Sequence, residues 1–189
     1  MTNSNQSVLT SGTSLFLNTC GLLGMCVSLL VAFYYQLALS ELPCPLCLLQ
    51  RVGIIIMGFG FLFNITTGIK RAHYSMIIVG SLVTAAIGIR QVFLHILPGD
   101  AGYGSAFLGL HFYTWSVLAS IITLIAVAVM LVVDDKDLIK IQLPAFDRLN
   151  HVAAWLFISL IAMNLVSTVL ECGAGQCDDN PVFYQLLGK

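Results

Sequence analysis

Five apolar runs of membrane-spanning length dominate the chain, at residues 15–39, 47–67, 74–97, 112–133 and 151–170. Crossing roughly 30 Å of hydrocarbon takes about 20 helical residues. In lipid every backbone N–H and C=O has to pair within the chain, and runs this long lack the two-residue alternation of barrel strands, so each reads as a helix. Composition agrees: 58% of the 189 residues are hydrophobic and 9% charged, against roughly 25% charged in a soluble domain. A formal net charge of −1 supplies no basic field, which excludes nucleic acid as a partner. The expected fold is an all-α membrane protein, a small transmembrane helical bundle with a four-helix core plus a fifth span. It forms one integral membrane domain over 1–189, with a tail over 171–189. The first run is longer than a signal-peptide core and no basic residue precedes it, so it is expected to remain as a span.

The cationic residues give an orientation. Lys70 and Arg71 lie between the second and third runs, and Lys136, Lys140 and Arg148 between the fourth and fifth. The positive-inside rule puts those loops and the N-terminus in the cytoplasm. The turn at 42–45, the loop at 98–108 and the C-terminal tail then face the other side, with Lys189 as an exception. In a bacterium this is a multi-pass inner-membrane protein with a periplasmic C-terminus.

Four of the six cysteines fall on that outer face: Cys44 and Cys47 in the first outer turn, Cys172 and Cys177 in the tail. The other two, Cys20 and Cys26, lie inside the first run about 240° apart around the helix and are expected to be small packing residues. Thiols in an oxidising compartment are either paired or reactive, and two pairs on one face suggest that one disulfide is exchanged for another. In Leu-Pro-Cys-Pro-Leu-Cys the first thiol falls at a helix start, where unpaired N–H groups and the positive dipole end stabilise a thiolate. Pro45 is tolerated there because its missing N–H would be unpaired anyway.

Arg51 lies four residues after Cys47 and shares its helix face. A cation at that depth costs several kcal/mol unless it is paired or working. Gln50 adds an amide donor and acceptor. Arg90 and Gln91 reach a comparable depth in the third run, which is expected to bring in a second buried guanidinium. His95, His111 and Tyr113 fall near the outer edge, where they either surround a bound headgroup or, like Trp115, Tyr34 and Tyr35, anchor at the interface. These residues alone leave other chemistries open. One is a zinc clip built from the four cysteines, although the spacing of Cys172 and Cys177 is longer than zinc sites use. Others are a disulfide-stapled scaffold and a haem held by two of His73, His95, His111 and His151. No metal site is expected, since no ligand spacing demands one.

The segment Leu-Pro-Cys-Pro-Leu-Cys-Leu-Leu-Gln-Arg resembles the active-site segment of the DsbB family, inner-membrane thiol oxidases that reoxidise the periplasmic dithiol oxidase DsbA and pass electrons to quinone. The resemblance runs from the first span through Gly-Leu-His-Phe-Tyr-Thr-Trp at 109–115. It implies that Cys44 and Cys47 are the quinone-coupled pair, that Arg51 supports quinone reduction, and that ubiquinone or menaquinone is the cofactor, with Gln50, Arg90, His95 and His111 as candidates to line its site. The implied partners are a thioredoxin-fold, DsbA-like dithiol protein and the lipid bilayer. A DsbA-like couple near about −120 mV could reduce a thiol buffer near roughly −200 mV only by climbing about 4 kcal/mol, so a membrane quinone fits better as acceptor.

The chain departs from the family pattern in one respect. Better-known members have four spans and a second cysteine pair in the loop between the third and fourth, whereas the loop at 98–108 contains no cysteine. The second pair stands in the tail after a fifth span. The expected reaction starts with a periplasmic thiolate attacking the disulfide of Cys172 and Cys177, giving a mixed disulfide that the other cysteine resolves. The Cys44–Cys47 disulfide then reoxidises the tail pair. The same chemistry also suits a vitamin K epoxide reductase-like enzyme or a conduit that carries reductant the opposite way.

Overall fold

The computed structural model describes residues 4–133, 144–173 and 175–188. Lys136, Lys140 and Lys189, which contribute to the charge argument, lie outside the described residues. The helices are α1 (Ser4–Ala38), α2 (Pro45–Thr66), α3 (Arg71–Leu94), α4 (Phe112–Val133) and α5 (Pro144–Cys172). Among the described residues five helices are long and apolar enough to cross a membrane. Two two-residue strands, β1 (Ala106–Phe107) and β2 (Leu110–His111), form a small antiparallel hairpin in the α3–α4 loop.

The boundaries have local causes. Cys44 caps α2 from an extended backbone, its sulfur accepting the Cys47 N–H at 3.2 Å, and Pro45 takes the first helical position, where no backbone donor is needed. At the far end Gly68, with φ of 94°, supplies the left-handed residue that reverses the chain into α3. Helix α3 stops at Leu94, three residues short of the expected 97, because His95 leaves helical geometry ahead of Pro98, which disfavours helix in the residue before it. Helix α5 begins before the expected 151 and runs past 170, so Cys172 is its last residue rather than part of a free tail.

Helices α1 to α4 alternate in direction, and hydrogen bonds fix the fifth. Near one end Thr19 of α1 donates to Asn150 of α5 at 2.7 Å, and 17 residues further along both helices Gln36 donates to Ser167 at 2.6 Å. Helix α5 therefore runs parallel to α1. This places the Cys172 end of α5 beside the end of α1 that leads into Cys44, and both cysteine pairs share one end of the bundle.

The core is layered. Its middle is apolar, with Leu22, Cys26, Leu29, Met57, Phe61, Ile77, Phe157 and Leu160 buried. Cys20 faces outward and Cys26 inward, so only one of the two packs; residues that far apart around one helix cannot both face the core. At the end away from the cysteine pairs, buried Asn64 donates to Asn18 at 2.7 Å, and Asn18 donates to the Tyr74 hydroxyl at 3.2 Å. A second polar layer lies at the cysteine end.

Helices α2 and α3 approach until their backbones nearly touch. A Cβ at Gly80 would stand 2.7 Å from both the Gly53 carbonyl oxygen and the Met57 nitrogen. Close approach through small residues is how helices associate in lipid, where apolar burial gives no advantage. Gly80→Leu should therefore lower unfolding stability in detergent by about 1–3 kcal/mol, the cost of overpacking. Gly24→Ala, which has nothing within 4 Å of its Cβ position, should be neutral or slightly stabilising. Equal losses in thermal unfolding at the two positions would contradict this packing.

Candidate redox site

Cys44 and Cys47 form a disulfide with a Cα separation of 5.0 Å, and Cys172 and Cys177 form another at 4.5 Å. Cys44 is buried, and Cys47 is half-buried against a cavity. Two N–H donors point at Cys44 Sγ: the Cys47 amide and Gln91 Nε2, the latter at 3.3 Å. Gln91 also lies 3.6 Å from the Cys47 sulfur. Its amide is held in turn, because Gln91 Oε1 accepts from Gln50 at 2.7 Å and Gln50 Oε1 accepts from the Ser116 hydroxyl at 2.7 Å. This chain of neutral donors crosses from α4 through α2 to α3 and ends on sulfur. Donors of this kind, together with the start of α2, favour a thiolate on Cys44 when the disulfide is opened.

Arg51 is buried one turn beyond Cys47. One guanidinium nitrogen donates to Gln36 Oε1 at 2.8 Å and to Asn164 Oδ1 at 3.4 Å, the other to the Ala32 carbonyl at 3.4 Å, and the Phe33 ring lies 5.4 Å from the guanidinium carbon. All of these are neutral. Among the described residues no carboxylate lies within ion-pair distance of Arg51, so its charge stays available to whatever occupies the space beside it.

That space is a cavity of about 360 Å³ between α1, α2 and α4. Apolar groups such as Val31, Ala32, Leu42, Ile54 and Phe112 make up most of its wall, and Cys47, Gln50 and Arg51 provide a sulfur, an amide and a cation. Apolar walls with a few convergent polar groups, at this volume, suit a small planar organic ligand.

Three of the expected lining residues are elsewhere. Arg90 is exposed on the outside of α3; successive helical residues point about 100° apart, so when Gln91 turns to the sulfurs its neighbour turns outward. His95 binds Asp100 at 3.1 Å in the α3–α4 loop. His111 stacks on Tyr113, with ring centres 5.2 Å apart. Neither histidine borders the cavity. Conversely, Gln91, expected only to share the depth of Arg90, is buried at this end, and so are Gln36, Asn164 and Glu171, for which the sequence suggests no role. Their signal is the cost of an amide or carboxyl inside an apolar run.

The α3–α4 loop is fastened over the Cys44 turn. Tyr103 donates to the Leu42 carbonyl at 2.7 Å, and the Ser105 amide and hydroxyl bind the Glu41 carboxylate. The hairpin turn of this loop puts two left-handed residues at its centre, Leu108 and Gly109 with φ of 52° and 80°, as a two-residue hairpin with native twist requires.

Residues 14–105 match the family model described as Disulfide bond formation protein DsbB. Over this segment the chain is similar to the DsbB family. The Disulfide bond formation protein B of Chromobacterium violaceum is 32% identical over 99 residues, covering 48% of this chain and 60% of the relative. Those of Acinetobacter baylyi and Acinetobacter baumannii are 35% and 37% identical over 79 residues, 39% of this chain and 46% of each relative. The chain thus spans about half the length of the curated relatives it matches. No solved structure matches it. The DsbB match holds Cys44, Cys47, Gln50, Arg51 and Gln91. It stops short of the segment at 109–115 and of Cys172 and Cys177.

Burial, followed by the Glu171 and Glu41 carboxylates, pushes the Tyr103 phenol up from 10.0 to about 12. Folding therefore favours the protonated phenol. Its contribution to stability is fully present below about pH 10, where the phenol is protonated in both states, and is lost as pH rises towards about 12. Spectroscopic titration of the folded protein should show a phenolate appearing near pH 12 that is missing in Tyr103→Phe. A transition near pH 10 that disappears in that variant would contradict the placement.

Proposed function

We propose that this chain is a membrane thiol oxidase that takes electrons from a periplasmic DsbA-like dithiol protein and delivers them to a membrane quinone, with the cysteine end of the bundle on the periplasmic side. The observation that carries the reading is a disulfide at a helix start, one sulfur of which borders an apolar cavity beside a buried cation that has no carboxylate at ion-pair distance among the described residues. The similarity of residues 14–105 to the DsbB family supports it, as does the common end shared by the two disulfides.

The entry couple is Cys172 and Cys177. Cys172 is 4% exposed, while Cys177 is half-buried in a short polar loop. A partner thiolate reaches Cys177, forms a mixed disulfide with it and expels Cys172. The partner's second thiol then displaces Cys177 and leaves a tail dithiol. Exchange with Cys44–Cys47 re-forms the tail disulfide and leaves the inner couple reduced, with the two N–H donors on Cys44 stabilising its thiolate.

Cys47, Gln50 and Arg51, with the apolar wall, are the residues that would hold the quinone, ubiquinone or menaquinone. When bound it supplies a two-electron, two-proton acceptor. Arg51 places a fixed positive charge where negative charge gathers, and Gln36 and Asn164 hold the guanidinium in place from behind without neutralising it. A preorganised charge in a dry site needs no reorganisation at the moment of reaction.

Two experiments test this reading. Arg51→Met should lower quinone reduction, driven by a reduced periplasmic dithiol protein, by about 100-fold; an unchanged rate overturns the role of Arg51. In a trapping experiment Cys172→Ser should accumulate a covalent complex with the periplasmic dithiol protein through Cys177, and Cys177→Ser should not. The reverse pattern would make Cys172 the attacked residue.

A further inference from the structure

Glu171 precedes Cys172 in the last turn of α5 and is 2% exposed. Among the described residues neither of its carboxyl oxygens has a hydrogen-bond partner. A buried carboxylate without donors is costly, and the C-terminal end of a helix disfavours negative charge further. The tail covers it: Gln185 and Leu186 donate to the Glu171 and Leu170 carbonyls at 3.3 and 3.1 Å, and Tyr184 meets Gln36 at 3.1 Å. The charged and titratable groups facing this spot are Arg51 from α2, Tyr184 from the tail and Tyr103 from the α3–α4 loop, whose phenol also feels Glu41. Among the described residues, α1 and the rest of α5 contribute neutral groups here, Gln36, Asn164 and Ser167.

The neighbouring sulfur has a matching difficulty. When a thiolate attacks Cys177, the electron pair of the broken S–S bond leaves on Cys172, a buried atom at the same negative helix end. We propose that Glu171 is the proton-exchanging residue of the tail couple, donating its proton to Cys172 as that sulfur is expelled and taking it back when Cys172 is next ionised to re-form a disulfide. In the first step the bond between Cys172 and Cys177 breaks, the bond between the attacker and Cys177 forms, and the proton moves from the Glu171 carboxyl to Cys172 Sγ. The negative charge ends on the carboxylate, within electrostatic reach of Arg51. No further oxidant or reductant takes part. The inference rests on the reading of Cys172 and Cys177 as the entry couple.

The test uses the full chain in detergent without quinone or partner protein, with dithiothreitol as the attacking dithiol. Reduction of the tail disulfide is followed by acid quench, alkylation and mass analysis across a pH series. Glu171→Gln should slow reduction on the order of 100-fold, the usual scale of general acid catalysis, and flatten the part of the pH profile that belongs to the protein; Glu171→Asp should restore part of the rate. Infrared difference spectra give a second readout that a structural role would not move. Reducing the wild-type tail couple should remove a protonated-carboxyl band that shifts in Glu171→Asp, and this measurement stands even where Glu171→Gln does not fold. Wild-type rates in Glu171→Gln, or no carboxyl band change in the wild type, overturn the proposal. If instead the entry reading fails, no complex is trapped at Cys177, while dithiothreitol reduction still reports on Glu171.

Discussion

The cysteine end of this molecule is organised around one guanidinium in a place without water. Arg51 cannot shed its charge at any ordinary pH, so the helices around it have to solvate it. They do so with amide and carbonyl oxygens from α1 and α5 and with an aromatic face. An ion pair would have satisfied the same cation and removed its field. Neutral acceptors stabilise it through hydrogen bonds and leave the charge directed at the adjoining cavity. The same contacts hold α5 against α1 and α2, so the group that gives the cavity its electrostatic character also fixes where the helix carrying the second cysteine pair lies.

Polar layers at both ends and an apolar layer between them explain how so small a bundle is specified in lipid. Apolar burial does not distinguish a helix neighbour from a lipid chain, so close backbone approach and interhelical hydrogen bonds have to choose the partners. The Gly53 and Gly80 contact chooses α2 against α3. The amide chain from Ser116 through Gln50 to Gln91 ties α4, α2 and α3 to the first disulfide. The paired contacts of Thr19 with Asn150 and of Gln36 with Ser167 choose the direction of α5. Each polar layer is therefore both a structural fastening and, at the cysteine end, part of the surroundings of reactive atoms.

Much of this was legible in the chain. The apolar runs dictate helices because no other backbone satisfies itself in hydrocarbon, and Pro45 after Cys44 marks the start of α2. Cys47 and Arg51, one turn apart, share a face whatever else the fold does. Other placements depend on what residue order cannot supply. Arg90 and Gln91 are both polar residues in an apolar run, and which of them turns inward depends on the rotation of α3, set by the glycine contact with α2. Cys172 reads as part of a loose tail, but α5 extends to include it because Gln185 and Leu186 fold back to satisfy the helix end. The histidines belong to a loop whose conformation comes from fastenings to Glu41 and Leu42.

Residue order alone determined the number of helices, the cap that presents Cys44, and the turn that joins Cys47 to Arg51, because each depends on neighbours within about one helical turn or on the length of an apolar run. Tertiary structure decided what those groups face: a cavity on one side of Arg51, neutral amides behind it, and a second disulfide at the same end of the bundle beside a carboxyl group that has no hydrogen-bond donor among the described residues. These depend on how one helix is rotated and directed against another. In a membrane that choice rests on a few long-range contacts whose partners lie as far apart in the chain as Gln36 and Tyr184.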